Sequence, residues 1–380
     1  PALDGYVDGT HALSWASTGV DSIYKCYYPH HDSLRVVVLG WSELVHRKLS
    51  MAELIGDAMG ERSGWWWQND TLYLQRANGQ TPAGQVLHIG HRNTALRVLR
   101  RHWLISNLTI RFFGNYGILL GDFGRANAAS GTAISNTRIY GCGGAAIYGT
   151  TNSDSISISN NILSGLTIGA MSYQASKSRG QETANTILLG GGNWNIEANL
   201  LRQMFDGIAA GATADSLASS ESDILDNTIM DCQDDAWQAD GSYDIGLLYA
   251  RNNSYRNGTG ASIAPVVVGP TYVLYNTIWN NRKEGIRLGS ASEGQVLIAH
   301  NTIGCSGGTA PAIWNPGGAH KRTVFRNNIF QSSTSGGAVV YNPVTGADTS
   351  GTYTNDFNYN CYDSLGTGGR LVEWKSGVRY

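Results

Sequence analysis

Short apolar clusters separated by polar turns recur along residues 104–330, and they recur in step. Each opens on Asn, with apolar residues close behind: Asn161-Ile162-Leu163, Asn199-Leu200-Leu201, Asn227-Thr228-Ile229, Asn253-Ser254-Tyr255, Asn276-Thr277-Ile278, Asn301-Thr302-Ile303 and Asn328-Ile329-Phe330. Upstream, the same slot holds Leu108 and Thr137, and successive slots lie 29, 24, 38, 28, 26, 23, 25 and 27 residues apart. A second anchor follows each slot: Gly117-Ile118, Ala146-Ile147, Thr167-Ile168, Gly207-Ile208, Ala236-Trp237, Ser262-Ile263, Gly285-Ile286 and Ala312-Ile313. One period therefore has room for three short strands and none for a long helix. Self-similarity at this period marks a solenoid, and propeller blades would need a longer repeat. The pattern predicts an all-β parallel β-helix of about 9–11 coils, one per period. Aliphatic side chains stack inward, and Asn199, Asn227, Asn253, Asn276, Asn301 and Asn328 form one ladder at a corner, where their amides satisfy turn backbone.

This repeat resembles the right-handed parallel β-helix (pectin lyase-like) superfamily of pectate lyases, polygalacturonases and related polysaccharide enzymes. The resemblance covers residues 104–330 and implies a right-handed coil. It speaks for the fold more than for one reaction, since many chemistries share this scaffold.

Three regions follow from the pattern: 1–103 as an N-terminal cap on the solenoid, 104–362 as the β-helix and 363–380 as a tail. In the cap, Ser50-Met51-Ala52-Glu53 is a capping box ahead of a short helix over about 51–60. Trp65-Trp66-Trp67, Asn69-Asp70 and Leu72-Tyr73-Leu74 read as a hairpin. Asn358 to Tyr362 reads as a degenerate last coil. Two insertions interrupt the period, 170–186 with Tyr173, Lys177, Arg179 and Glu182, and 211–222, which is small and polar. Long loops on a regular scaffold are where function concentrates.

Composition narrows the role. Charged residues make up 15% of the 380-residue chain and the net charge is -2, without the basic excess of a nucleic-acid binder. With 48 Gly, 29 Asn, 19 Tyr and 11 Trp, the chain suits tight turns and a sugar-facing surface. No run of 18 apolar residues is present to span a membrane. The five cysteines match no zinc spacing and no compact disulfide framework. Cys142 and Cys232 occupy one slot three coils apart, about 14 Å, too far for a disulfide. His30-His31 in the cap reads as surface or structural imidazole. The chain starts at Pro1 and shows no signal peptide; a secreted or periplasmic location is the expectation for a protein acting on polysaccharides.

Aligning the coils on the second anchor produces columns. The residues flanking the inward aliphatic are expected to point outward by strand alternation. The small residues before it form either a groove floor or a strip packed tightly under a loop. The column after it offers Tyr148, Gln238, Arg287 and Trp314 as substrate contacts, joined by Lys283 and Glu284. Two positions before the anchor stand Asp206, Asp235 and Glu284, with Asp234 adjoining and Asp240 five residues on. Such a cluster either satisfies turn backbone or performs chemistry, because crowded carboxylates need a proton, a metal or a cation to coexist.

Local strings here are similar to polygalacturonase-type glycoside hydrolases. Phe205-Asp206-Gly207-Ile208 looks like that family's Asn-Thr-Asp-Gly-Ile strand, and Gln233-Asp234-Asp235-Ala236-Trp237 looks like its paired-Asp strand. Gly260-Ala261-Ser262-Ile263 falls where the family has Gly-His-Gly-Ile, without the His, and Glu284-Gly285-Ile286-Arg287 lacks a clean Arg-Ile-Lys. The resemblance implies Asp206, Asp234 and Asp235 as catalytic acids. Carboxylates on adjacent coils stand roughly 5–7 Å apart, in reach of either glycosidase geometry.

The expected activity is thus hydrolysis of a polysaccharide or oligosaccharide without a cofactor. A second reading takes Asp206, Asp235, Asp240 and Glu284 as an oxygen cage for Ca2+ in a lyase that eliminates across a uronate. A third is a glycan-binding β-helix of the adhesin or tailspike type, with aromatic platforms and no functional acids. The partner in all three is a glycan, with neither nucleic acid nor membrane involved and the oligomeric state open.

Overall fold

The computed structural model describes residues 2–374, apart from 5, 9–12, 21, 30–36, 40–42, 46, 57–62, 77, 86, 91, 122–127, 151–152, 166–172, 179–185, 211–220, 243–244, 290–293, 306–310, 318–321, 333–337, 343–355 and 365–369. Three parallel sheets carry the repeat, in each of which every strand pairs with its equivalents on the coils before and after. The upstream sheet precedes the Asn corner and has ten strands, from Leu104–Ser106 to Asp356–Asn358. The downstream sheet follows the corner, from Thr109–Arg111 to Cys361–Ser364, and takes Ala2–Asp4 as its eleventh strand. The anchor sheet has eleven, from Thr94–Val98 to Arg370–Trp374. The ten upstream strands correspond to ten coils, inside the expected range. The solenoid is longer at both ends than the sequence pattern indicates. It begins at Thr94 rather than 104, and 370–374 of the expected tail forms its last anchor strand.

Inward positions are apolar and fully buried. Ile134, Ile158, Ile196 and Ile224 line the upstream sheet, Ile139, Leu163, Leu201 and Ile229 the downstream sheet, and Ile118, Ile147, Ile187 and Ile208 the anchor sheet. Trp237 and Tyr249 stack at 4.7 Å inside the coil, and the next positions along the chain to face the core are the small Ser254 and Ala261. Large and small residues alternate so that the interior fills at constant cross-section.

The corner ladder forms from Asn161, Asn199, Asn227, Asn252, Asn276, Asn301, Asn328 and Asn360. Each Oδ1 accepts the backbone N–H of the ladder residue on the preceding coil, at 2.9–3.0 Å. The member between Asn227 and Asn276 is Asn252. Asn253, expected there, is the exposed first residue of the next strand. The residue before each ladder Asn is left-handed, for example Ala198 (φ 55°), Asp226 (55°), Arg251 (57°) and Tyr275 (57°). A non-glycine residue pays about 1–2 kcal/mol for that conformation, offset here by the ladder's buried hydrogen bonds.

The cap carries its own small core around Cys26, Trp65, Leu72, Leu74 and Ile89, under two four-stranded sheets. Its helix is Met51–Gly56, capped as expected: Glu53 N–H donates to Ser50 Oγ (3.1 Å) and Leu49 N–H to Glu53 Oε2 (2.7 Å). Gly64–Gln68 and Thr71–Gln75 form the hairpin, turned by left-handed Asn69 and Asp70. His30 and His31 lie outside the described residues.

Candidate active site

Register decides which residues meet. The anchor strand after Ile147 starts at Ile187, so the first insertion precedes it; Thr167-Ile168 lies outside the described residues. On a later coil, Asp235 bridges to Thr259 and Ala261 pairs with Ile286. The residue matching Trp237 is thus Ala261, not Ile263. The acidic column reads Asp206, Asp235, Thr259, Glu284. Gly258-Thr259-Gly260-Ala261 is the string beside the paired Asp, which puts Thr259 at the position where the resembling family has His.

Packing decides the small-residue column. Gly117, Ala146, Gly207, Ala236, Gly260, Gly285 and Ala312 are buried. A Cβ on Gly117 would stand 2.6 Å from both the Ala146 carbonyl oxygen and Ile139 Cγ2. One on Gly207 would meet Ala236 and Ile229 in the same way. These positions are small because the anchor strand passes close to the downstream sheet's inward side chains. They are a packed corner and no groove floor.

Asp206, Asp234 and Asp235 do come together. One carboxylate oxygen from each lies within 4.8 Å of the other two, and they are 2%, 5% and 2% exposed. Asp206 Oδ1 accepts the backbone N–H of Asp235 at 3.0 Å. Lys283 Nζ bonds Asp234 Oδ1 at 3.0 Å and sits 3.9 Å from the centre of the Tyr173 ring. Arg282 grips backbone beside the cluster, donating to the carbonyls of Cys232 (2.7 Å) and Gln233 (2.9 Å). Cys232 beneath it is no nucleophile, since burial pushes its thiol far up, with Asp206 adding to the shift.

A cover explains much of the burial. The first insertion contains a second short helix, Tyr173–Ser178, which no capping signal announced. Tyr173 stacks on Phe205 at 5.9 Å, and Ser176 Oγ hydrogen-bonds Gln233 Oε1. This helix touches the coils of Asp206, Asp235 and Glu284 at once. It reaches the carboxylates through Lys283, which bonds Asp234 and stands over the Tyr173 ring.

The remaining expected contacts are spread along the outer face. Gln238 is half-buried on the strand Trp237–Ser242, between Ala209 and Ser262 of the flanking coils. Arg287 is half-buried, its guanidinium 5.6 Å from the centre of the Trp314 ring. Tyr148 stacks on Tyr116 at 4.8 Å, three coils before Gln238. Glu284 is 3% exposed and stands two coils from Asp235. Three buried polar atoms near it have no hydrogen-bond partner among the described residues: Thr259 Oγ1, Glu284 Oε1 and Arg287 Nε. Such atoms normally find partners.

Of the residues expected to cage Ca2+, Asp206 and Asp235 come together, Glu284 is outside the carboxylate cluster, and the Asp240 side chain lies outside the described residues. The three aspartates meet the spacing for one cation, but Lys283 already supplies their counter-charge.

Burial holds the Glu284 carboxyl above its ordinary range, with Arg287 and Lys283 opposing the shift. The native state keeps that proton at pH values where the unfolded chain has lost it. Stability contributed by Glu284 is therefore full below the ordinary glutamate value and is lost as pH rises through the native value. Glu284→Gln removes this dependence. Thermal unfolding from about pH 4 to about pH 8 should show the wild type falling progressively behind the variant. A difference that stays constant across that range would contradict the assignment.

A cavity of about 510 Å3 lies at the other end, on the first coil, lined by Leu96, Arg97, Val98, Arg100, Trp103 and Leu104. No carboxylate lines it, so it is no rival to the aspartate cluster for acid–base chemistry.

The family model for a right handed beta helix region matches residues 94–267, which contain the aspartate cluster. The solenoid is a right-handed parallel β-helix. No curated protein matches by sequence. Similar solved structures include XylC with xylose, 14% identical, covering 88% of this chain and 58% of that one, TM-score 0.48. The catalytic unit of a GH87 α-1,3-glucanase from Streptomyces thermodiastaticus is 12% identical, covering 97% and 96%, TM-score 0.42. The A-module of the mannuronan C-5 epimerase AlgE4 from Azotobacter vinelandii is 11% identical, covering 75% and 84%, TM-score 0.49. The chain spans less than two thirds of the XylC chain's length.

Proposed function

We propose that this protein is a glycan-cleaving enzyme of the hydrolase type, with Asp206, Asp234 and Asp235 as its acid–base machinery. One observation carries the reading: three buried carboxylates whose oxygens lie within 4.8 Å of one another, with one lysine among them. Carboxylates this close can divide the acid and base roles of glycoside cleavage between them. Asp234 is paired with Lys283, and Asp206 accepts a backbone amide. In this reading Asp235 gives a proton to the leaving glycosidic oxygen. A neighbouring carboxylate then acts as base or nucleophile. Thr259, Glu284 and Arg287 bind hydroxyls of the adjoining sugar, and the Tyr173–Ser178 helix shifts to admit the chain.

Hydrolysis is favoured over elimination by how the cations are engaged. A lyase needs a free basic side chain beside the acidified carbon. Here Lys283 is bound to Asp234 and Arg282 to backbone carbonyls, while Arg287 stands two coils from Asp235, over the Trp314 ring. The deciding experiment is a digest of a glycan panel followed by reducing-end release and by absorbance at 235 nm, with and without chelator. New reducing ends without absorbance, unaffected by chelator, are expected. Absorbing, chelator-sensitive products would overturn the reading in favour of elimination.

A further inference from the structure

On the outer face of the downstream sheet, one column runs Tyr255, Trp279, Gly304, Gln331, Asp363 from coil to coil. The first two rings stack, centroids 5.2 Å apart and 22° from parallel. The Arg256 guanidinium also lies over Tyr255, at 4.8 Å, and is held by Asp231. Trp279 Nε1 donates to Asn253 Oδ1 at 3.2 Å, which fixes the indole's orientation. Yet Trp279 is 43% exposed, an unusual amount for a ring so firmly braced.

The stack stops at Gly304, and nothing in the backbone asks for glycine there. Its φ is not in the left-handed region. Among the described residues, a Cβ would find only Gln331 Oε1 at 3.6 Å and Trp279 Cβ at 4.0 Å, which is ordinary contact. The glycine therefore leaves one rung of the column open. Trp279 and Gln331 stand two coils apart, about 9.6 Å, so the gap has the thickness of a single stacked ring. Its first wall is an indole; its second is the Gln331 amide, held by Nε2 donating to Asp363 Oδ2 at 2.9 Å. Exposed Thr277 and Thr302 lie on the same sheet face.

We propose that this notch binds one neutral pyranose ring of a glycan, on a different sheet from the aspartate cluster. A pyranose presents an apolar C–H face to an indole and hydroxyls at its edge to an amide and threonines. The exposed Asp363 carboxylate disfavours a uronate. An aromatic side chain from a protein partner would leave the polar wall unused. The site goes beyond the cleavage reading and stands without it.

Affinity electrophoresis tests it, with native gels containing xylan, laminarin or dextran as neutral polymers and alginate or polygalacturonate as uronates. The Asp235→Asn background prevents cleavage during the run. At least one neutral polymer should retard the protein. Trp279→Ala and Gly304→Leu should each weaken that retardation at least about 10-fold, the scale for losing a central Trp contact or its pocket. Gly304→Leu fills the rung without a clash, so it carries the test even where Trp279→Ala misfolds. Retardation unchanged in Gly304→Leu, retardation by uronates alone, or none by any neutral polymer would overturn the proposal. A protein that cleaves nothing in the panel but binds through the notch keeps this inference and loses the other.

Discussion

Asp235→Asn is expected to lower turnover of the cleaved glycan by at least about 100-fold, the low end for removing a general acid or base. The substitution keeps shape and removes the titratable proton. The outcome separates two roles that both fit a buried Asp. Asn satisfies turn backbone as well as Asp does, so a structural Asp235 tolerates the change with near-normal turnover. A catalytic one does not. Folding is followed in parallel by thermal unfolding, and a variant that melts like the wild type while losing activity isolates the chemistry. Asp234 is tied to Lys283, and Asp206 holds the backbone of Asp235 itself, so their loss mixes positioning with proton transfer. Near-normal turnover would return the cluster to a role in satisfying the turns.

The acids were legible in the sequence because they fall at a fixed distance from the anchor aliphatic, and adjacent coils bring equal positions together. What was not legible follows from the two places where that distance is ambiguous. Asn252-Asn253 offers two candidates for one slot, and the ladder takes the first. That choice moves the next anchor from Ile263 to Ala261, a small residue that no aliphatic pattern flags, and brings Thr259 next to Asp235. In the 38-residue gap from Asn161 to Asn199, Thr167-Ile168 mimics the anchor that Thr186-Ile187 supplies, which puts the 170–186 insertion before the anchor and not after it. The burial of the cluster is not written in any local period either. The cover helix Tyr173–Ser178 meets the cluster through side chains far apart in sequence, Phe205, Gln233 and Lys283, and no local period encodes such a contact. The Asn253 slip also illustrates how strand alternation magnifies error, since one residue of shift exchanges an inward side for an outward one.

The ladder supplies the largest expected effect on stability, and two neighbouring residues of one type test it. Asn252 is buried; its Oδ1 accepts the Asn227 amide N–H at 2.9 Å, and its Nδ2 donates to the Ile224 carbonyl at 2.8 Å. Asn252→Leu keeps the branched shape and removes both hydrogen bonds, stranding a buried donor on one coil and a carbonyl on another. Each stranded group costs about 1–3 kcal/mol, so a loss of about 3–5 kcal/mol is expected, read from denaturant unfolding. Asn253 is exposed and its Oδ1 accepts one indole N–H, from Trp279. Asn253→Leu should cost under about 1 kcal/mol. Coils depend on their nearest neighbours, so the Asn252→Leu defect should also speed amide exchange at Asn227 and Asn276 ahead of distant coils. If Asn253→Leu proves the damaging change and Asn252→Leu the silent one, the ladder runs through Asn253 and the acidic column must be realigned with it.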